Sequence, residues 1–198
     1  MGKRIFDLLF SILVLLLFLP FGILVSFLII VESKGGVFYK QERIGRFGKS
    51  FKLYKFRSMR MDSDKLGKLT VGMKDNRITR IGYYIRKFKL DEFPQFINVL
   101  KGEMSIVGPR PEVIEYVNLY TEQQKLVLSI KPGITDYASI MFFKENEILA
   151  KSENPVETYI KEIMPHKLEL NLKYLNNQSF TEDLKIIILT IKKIFIGK

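Results

Sequence analysis

A run of 24 residues without a charge, at positions 8–31, constrains what this chain can fold into more than any other feature. As a straight helix the run would be about 36 Å long, which exceeds the roughly 30 Å of hydrocarbon in a bilayer. A cleaved signal peptide would have a shorter apolar stretch and a small-residue cleavage site, which does not follow here. A core helix of a soluble protein would not be apolar on every face over such a length. The run therefore predicts insertion into a membrane.

The run can enter the membrane in two ways, because Pro20 lies near its middle. Proline removes one backbone hydrogen bond of a helix, so we expect a bend there. Basic residues flank both ends of the run, namely Lys3, Arg4, Lys34, Lys40, Arg43 and Arg46. Positive charge on both sides favours a hairpin with both ends in the cytoplasm. A single kinked span explains the same residues equally well, so these facts alone leave both arrangements open.

The rest of the chain is strongly basic and lacks cysteine. Lys and Arg number 32 against 21 Asp and Glu, a formal charge of +11, of which residues 1–31 carry only +1. Such a surplus predicts attraction to a phosphate, a nucleic acid or an anionic membrane. The absence of cysteine excludes disulfides, thiolate nucleophiles and zinc–cysteine sites, and His166 is the single histidine. Acid–base chemistry must therefore come from carboxylates, Lys, Tyr or that one ring.

The apolar pattern after the run predicts one domain that combines helices with a small hairpin. Residues 37–39 and 51–59 have the character of two strands, and residues 40–60 hold eight basic residues and one acidic residue. This basic segment fits a solvated face or contact with phosphate groups about equally well. The pattern also predicts a polar loop at 62–72 and helices at 77–88, 92–100, 113–130, after Pro155 and at 181–195. The last helix suits packing on the core or a membrane surface.

Asp91 and Glu92 stand together at the start of a short predicted helix. Carboxylates there often cap the free N–H groups, which would be the interpretation of an isolated pair. Two arginines favour a functional site over simple capping, since Arg86 lies five residues before Asp91 and Arg110 lies between two prolines. A rigidly held arginine suits bidentate phosphate binding, and paired carboxylates suit Mg²⁺, which usually accompanies a phosphate substrate. An aspartate can also be a covalent nucleophile towards phosphorus.

Eight short motifs lie in order along almost the whole chain. They are residues 3–7 (KRIFD), 41–45 (QERIG), 55–59 (KFRSM), 77–80 (RITR), 90–95 (LDEFPQ), 98–105 (NVLKGEMS), 108–111 (GPRP) and 131–135 (KPGIT). As an ordered set they resemble the monotopic bacterial phosphoglycosyl transferases, also called bacterial sugar transferases, in their short single-domain form. Two places depart from the family pattern: Leu19 precedes Pro20 where serine is common, and residues 136–139 (DYAS) replace a Gly-aromatic-Ala-Gln stretch.

The resemblance implies a compact, membrane-associated α/β fold with an N-terminal re-entrant helix-break-helix, amphipathic interfacial helices and a small β-sheet or hairpin. Residues 1–33 would form the membrane hairpin, broken at Pro20, and residues 34–198 the cytoplasmic catalytic domain. The protein would be monotopic, on the cytoplasmic face of the bacterial inner membrane. It would transfer a phospho-sugar from a UDP-sugar to undecaprenyl phosphate and release UMP, as the first membrane step of surface glycan or glycoprotein assembly.

The resemblance also implies roles for individual residues. Asp91 would be the nucleophile that forms a covalent phospho-sugar intermediate, and Glu92 would assist with proton handling. Both carboxylates would hold Mg²⁺. The substrate-binding residues would be Arg86, Arg110, Lys55 and Arg57.

Two other classes of function compete with this interpretation. A non-catalytic, membrane-anchored lipid-binding or scaffold protein would need the apolar run and the basic surface. Such a protein would have no use for Asp91 and Glu92 close to two arginines. A nucleic-acid binder is suggested by charge alone, and the sequence contains no recognisable binding module. We therefore expect anionic membrane lipids as partners and no nucleic acid. The sequence leaves the identity of the sugar, the downstream glycan and a homodimer open.

Overall fold

A computed structural model describes residues 2–61, 63 and 75–196, and this part of the chain is mainly helical. The α-helices are α1 (Gly2–Glu32), α2 (Arg80–Lys87), α3 (Gln95–Lys101), α4 (Ile114–Val117), α5 (Glu122–Lys125), α6 (Tyr137–Met141), α7 (Glu145–Leu149), α8 (Pro155–Thr158), α9 (Met164–Asn176) and α10 (Phe180–Ile196). The strands are β1 (Phe38–Ile44), β2 (Ser50–Phe56), β3 (Ser105–Val107) and β4 (Gly133–Thr135). Single helical turns lie at Arg46–Gly48, Leu90–Glu92, Leu126–Ser129 and Tyr159–Ile163. The predicted loop at 62–72 lies outside the described residues except for Ser63.

The apolar run forms α1, the one helix among the described residues that is long and apolar enough to cross a membrane. The predicted apolar helix is thereby confirmed, and it continues on both sides of Pro20, while the re-entrant arrangement stays a prediction. Only 11% of its most apolar window is buried in the protein. An exposed apolar surface of this size is typical of contact with a membrane or a partner, which supports the membrane association that the sequence predicts.

Polar contacts fix the N-terminal end of α1 to the rest of the domain. The buried Asp7 carboxylate accepts hydrogen bonds from Ser105 Oγ at 2.8 Å and from Ile106 N at 3.2 Å, both on β3. Arg4 Nη1 donates to Val99 O at 2.7 Å, in the last turn of α3. Since a buried carboxylate is costly unless it is hydrogen-bonded, Asp7 sets the position of α1 on the domain.

The C-terminal end of α1 contacts the same domain. Glu32 accepts hydrogen bonds from the free backbone N–H groups of Arg80 and Ile81 at 2.6 and 2.9 Å, at the start of α2. Arg57 Nη2 donates to Ser33 O at 2.7 Å, just beyond the end of α1. Helix α1 is therefore attached to one domain at both of its ends.

The strands form two small two-stranded sheets. Strands β1 and β2 pair antiparallel, with Phe38 opposite Phe56, which confirms the predicted hairpin. Strands β3 and β4 pair parallel, which the sequence pattern did not reveal because each strand has three residues. Beyond β3 the two backbones approach closely, and a Cβ on Gly133 would lie 2.1 Å from Gly108 N. Only glycine fits this contact, which fixes the segment that leads into Arg110.

The predicted helices are partly confirmed. Helix α10 matches the prediction at 181–195, whereas the single helix predicted at 113–130 is wrong. That segment divides into α4, α5 and the turn at Leu126–Ser129, because Thr121 is extended and caps α5 in a capping box with Gln124. The predicted helix at 77–88 starts later, at Arg80, because Thr79 is extended and its side chain accepts a hydrogen bond from Gly82 N as the N-cap.

Candidate active site

Asp91 and Glu92 lie on a single 3-10 turn, Leu90–Glu92, between α2 and α3. Lys89 precedes the turn in the left-handed conformation, with φ 57°, which ends α2 sharply and reverses the chain. Non-glycine residues rarely adopt this conformation, and strain of this kind is concentrated at functional sites. The sequence predicted the carboxylates at a helix start, whereas the structure places them on the turn before α3.

Asp91 is buried, with 6% of its surface exposed. Its carboxylate accepts no hydrogen bond from the residues that the structure describes. Its strongest electrostatic neighbours are Glu92, Lys55, Arg86 and Lys89. Burial and the adjacent Glu92 charge raise the pKa of Asp91, although the nearby cations oppose this shift. A carboxylate without hydrogen bonds, close to three cations, is suited to attack an electrophile or to bind a cation.

Glu92, in contrast, is fully engaged. Arg110 donates from both terminal nitrogens to its carboxylate, with Nη1 to Oε2 at 3.1 Å, and Lys55 Nζ lies 3.4 Å from Oε1. Burial alone would raise the pKa of Glu92, but the charges of Arg110 and Lys55 outweigh it and hold that pKa well below its usual range. Glu92 is therefore an ionised carboxylate that holds Arg110 and Lys55 at the turn that carries Asp91.

Arg110 is held from its backbone as well as from its side chain. Its N–H donates to Asp136 Oδ2 at 3.2 Å, and the other oxygen of Asp136 accepts from Ser139 N at 2.6 Å. Asp136 is completely buried and begins α6 as its N-cap. Residues 136–139 depart from the family pattern in sequence, and the structure shows that the first of them, Asp136, joins Arg110 to α6.

Arg86 and Arg57 line the same cavity as Asp91, but they are placed differently. Arg86 lies in the last turn of α2 and contributes a positive charge at Asp91. Both terminal nitrogens of Arg57 instead donate to backbone carbonyls at the end of α1, among them Lys34 O at 2.9 Å. The structure thus brings Lys55, Arg86 and Arg110 to the carboxylate pair and ties Arg57 to the membrane helix.

The sequence did not reveal a second polar cluster around Glu112. Its carboxylate accepts from Arg43 Nη1 at 3.3 Å and from the hydroxyl of Tyr159, and Lys167 Nζ lies 3.7 Å from Oε1. The charges of Lys167 and Arg43 keep the pKa of Glu112 low although burial opposes them. Glu112 lies two residues after Arg110. In an extended segment this spacing places both side chains on one side, and it was the one feature of the sequence that could have placed Glu112 in the site.

The lowered pKa of Lys55 predicts that activity declines at alkaline pH. Burial lowers the pKa of its ammonium group to about 8, against the opposing charge of Glu92. Only the charged form can offset substrate phosphates, so kcat/KM should fall by about tenfold per pH unit above this pKa. The side chain of Lys55→Arg stays charged, so kcat/KM of this variant should not fall in this pH range. A decline that is unchanged in Lys55→Arg would assign the titration to another group.

The charged side chains described above, apart from the fully buried Asp136, line one cavity of about 1150 Å³. One end carries the charged residues, including Lys55, Arg86, Asp91, Glu92 and Arg110. The lining continues along α1 and α10, where it is mainly apolar but includes Thr190 and Lys193. A volume of this size is large enough for a sugar nucleotide and lies slightly above the usual range of ligand pockets.

The carboxylates fit a metal ion that arrives with its substrate. Among residues 2–61, 63 and 75–196, no three His, Asp or Glu side chains converge on a metal-sized site. Arg110 and Lys55 already engage Glu92, which leaves the Asp91 carboxylate as the protein ligand. Mg²⁺ commonly takes one or two carboxylates together with water and substrate phosphates. The donor set therefore suits Mg²⁺ bound with a diphosphate.

Comparison with known proteins places the chain in a family. The profile of the family described as bacterial sugar transferase matches residues 1–197. An uncharacterized sugar transferase, EpsL of Bacillus subtilis (strain 168), is 40% identical over 198 residues, which cover 99% of this chain and 88% of EpsL. The chain belongs to the bacterial sugar transferase family.

Two further relatives carry names that state an activity. The UDP-glucose:undecaprenyl-phosphate glucose-1-phosphate transferase of Escherichia coli (strain K12) is 38% identical over 200 residues, and the UDP-N-acetylgalactosamine-undecaprenyl-phosphate N-acetylgalactosaminephosphotransferase of Aeromonas hydrophila is 34% identical over 198 residues. These matches cover 99% and 98% of this chain, but only 40% and 44% of the relatives. The chain thus corresponds to less than half of each longer enzyme.

Proposed function

We propose that this protein transfers a sugar phosphate from a UDP-sugar to undecaprenyl phosphate, at the first membrane step of a surface glycan or glycoprotein. One observation carries the proposal: the buried Asp91 carboxylate, without a hydrogen bond from the described residues, lies among Lys55, Arg86 and Lys89, while Arg110 binds the adjacent Glu92. These cations suit the phosphates of such a donor. The named activities of the relatives support the same reaction.

The chemistry proceeds in two steps. An oxygen of Asp91 attacks the phosphorus that bears the sugar, the bond from that phosphorus to the bridging oxygen breaks, and UMP leaves with the bridging oxygen. The phospho-sugar is then bound to Asp91 as an acyl phosphate. A phosphate oxygen of undecaprenyl phosphate attacks the same phosphorus and releases the Asp91 carboxylate. Two steps let the enzyme react with the soluble donor before the membrane-confined acceptor arrives.

The residues around Asp91 have distinct parts in this reaction. Arg110 and Lys55 offset the repulsion between the carboxylate and the incoming diphosphate, since both cations lie at the turn that carries Asp91. Glu92 keeps them in place and stays ionised. Arg86 adds a further positive charge on the side of α2. Arg57, whose terminal nitrogens are engaged, positions the end of α1 beside the cavity.

Metal dependence is general in this family, and we propose Mg²⁺ as the ion, held by Asp91 with the donor diphosphate. Mg²⁺ would draw charge from the phosphate oxygens during transfer. Activity should therefore disappear in excess EDTA and return with Mg²⁺ or Mn²⁺, measured as UMP release. Zinc should restore little activity, because the site has no cysteine and His166 lies elsewhere, on α9. Full activity in EDTA would contradict the assignment.

We also propose that residues 1–33 form a re-entrant membrane segment and that residues 34–198 lie on the cytoplasmic face of the inner membrane. Both ends of α1 bind the same domain, through Asp7 and Glu32, which supports ends on one side of the bilayer. The exposed apolar face of α10 and the basic surface would rest on anionic lipids. Pro20 lacks the N–H that would complete the helix and would be the hinge.

The re-entrant arrangement can be tested by accessibility, because the chain has no cysteine of its own. Single cysteines at position 2 and after residue 198 should both resist an impermeant thiol reagent added outside spheroplasts, and both should react after lysis. Labelling of the N-terminal cysteine alone in intact cells would show a true span. Pro20→Ala should convert part of the population to that spanning form, since it restores the missing hydrogen bond.

UMP release provides the direct test of the function. Purified protein in lipid nanodiscs with undecaprenyl phosphate should release UMP from at least one of UDP-glucose, UDP-N-acetylglucosamine and UDP-N-acetylgalactosamine. The lipid product should carry that sugar on a diphosphate. Absence of UMP with the full panel of donors, from protein that binds a UDP-sugar, would favour a membrane-anchored binding protein instead.

A further inference from the structure

The cavity beside Asp91 continues away from the charged residues, between two helices with exposed apolar surfaces. Here it is lined by Phe10 and Val14 of α1 and by α10, which contributes Ile187, Ile191 and Ile194 together with the polar Thr190 and Lys193. Outside the cavity the same helices expose further apolar side chains, such as Leu17 and Ile188. A ligand with a long hydrocarbon chain would thus find apolar side chains both on the outer faces of α1 and α10 and inside the channel.

A polar group without a partner among the described residues lies in the cavity wall, close to the backbone of Arg110. Ser139 lines the cavity, and its buried Oγ has no hydrogen-bond partner among the described residues. Asp136 fixes its position, because the two oxygens of that carboxylate accept from Ser139 N and from Arg110 N. A buried hydroxyl without a partner costs free energy, which a ligand oxygen at this point would recover.

We propose that the channel between α1 and α10 is the seat of the acceptor lipid, with its phosphate beside Ser139 and Arg110 and its isoprenoid chain between Phe10 and Ile194. The inference rests on the proposed function, which supplies this acceptor. A second sugar nucleotide is a poorer occupant, because most of its uridine and sugar hydroxyls would lie unpaired against walls in which Thr190 and Lys193 are the polar residues that α10 contributes. A lipid phosphate matches both ends: an anion next to Arg110 and hydrocarbon along α1 and α10.

The apolar end is tested by adding bulk to the channel. Ile194 lines the cavity and is half-buried, so Ile194→Trp should fold and narrow the channel. We expect the KM for undecaprenyl phosphate to rise by about tenfold or more, while the KM for the UDP-sugar stays within about twofold. The matched control is Ile188→Trp, on the same helix but outside the cavity, where both constants should stay unchanged. Equal effects in the two variants, or none in Ile194→Trp, would overturn the proposal.

The phosphate end is tested at Ser139. Ser139→Ala removes the unpartnered hydroxyl and leaves the backbone contact with Asp136 intact. We expect the KM for undecaprenyl phosphate to rise by about tenfold, the KM for the UDP-sugar to stay unchanged, and Ser139→Thr to restore most of the loss. An increase in the donor KM alone would place the donor at Ser139 and contradict the assignment.

A binding measurement separates this inference from the proposed function. The protein has no tryptophan, so Phe10→Trp introduces a single reporter in the channel, and Phe21→Trp introduces one on the exposed side of α1. Undecaprenyl phosphate added to nanodiscs should change the emission of Phe10→Trp saturably and leave Phe21→Trp unchanged, while undecaprenol or phosphatidylglycerol should have at most a weak effect. Binding of this kind without any UMP release would refute the proposed function and keep the channel. Turnover with no emission change specific to Phe10→Trp would refute the channel and keep the function.

Discussion

Asp91→Asn should lower sugar-phosphate transfer by about 10⁴-fold or more, because the amide cannot form the acyl phosphate that links the two half-reactions. The same substitution should abolish the UMP that wild-type protein releases from the UDP-sugar alone, in an amount equal to the enzyme. Asn has nearly the same volume as Asp, so the buried turn at Leu90–Glu92 should keep its shape. The measurement is UMP release with and without undecaprenyl phosphate.

The stability of Asp91→Asn provides the control for folding. Burial and Glu92 raise the pKa of Asp91, so the folded protein binds that proton more tightly than the unfolded chain does. The ionised carboxylate therefore destabilises the fold, and this cost appears as the pH rises above the ordinary pKa of Asp. At neutral pH Asp91→Asn should melt at the same temperature as wild type or higher. A large decrease in melting temperature would mean that Asp91 is a structural residue, and the loss of activity would then carry no mechanistic weight.

Glu92→Gln should damage both stability and turnover. Removal of this carboxylate leaves Arg110 and Lys55 without their shared partner in a largely buried site, which commonly costs about 3–5 kcal/mol. Turnover should fall by about 10² to 10³, because the two cations lose the position that offsets the phosphate charge. The measurements are urea unfolding in nanodiscs and UMP release.

The matched control for Glu92→Gln is Glu122→Gln. The Glu122 side chain is 90% exposed, and its ion pair with Lys125 is on the surface of α5. Surface ion pairs contribute little, so this variant should unfold within about 0.5 kcal/mol of wild type and keep full activity. Equal losses in the two variants would show that Glu92 has no special role. A stability loss in Glu92→Gln without a loss of turnover would limit Glu92 to the fold.

The sequence predicted the features that depend on neighbouring residues. The charge-free run, the hairpin at β1 and β2, and the amphipathic α10 each follow from a local pattern, and the structure confirms them. The resemblance to the family predicted Asp91 and Glu92 as catalytic residues and Arg110 as a substrate-binding residue. The structure adds that Arg110 engages Glu92 rather than Asp91, and this difference leaves Asp91 without a hydrogen bond among the described residues.

Other features depend on contacts between distant parts of the chain, which local patterns do not show. Strand β4 pairs with β3 across 28 positions, and three residues per strand are too few for a periodic signal. In the sequence, Asp7 is only a charged residue just before the apolar run. In the structure it accepts hydrogen bonds from β3, almost 100 residues away. Arg57 was predicted to bind substrate from its motif, whereas its terminal nitrogens bind the end of α1, and its role towards substrate stays a prediction.

The acyl phosphate on Asp91 is the central claim, and mass spectrometry tests it most directly. Wild-type protein mixed with its UDP-sugar in the absence of undecaprenyl phosphate, then quenched in acid and digested, should yield a peptide containing Asp91 that is heavier by one phospho-sugar. The added mass should disappear when undecaprenyl phosphate is supplied before the quench, and it should never form in Asp91→Asn. An unmodified Asp91 peptide, together with UMP release only when donor and acceptor are both present, would contradict the account and show that the lipid phosphate attacks the donor directly.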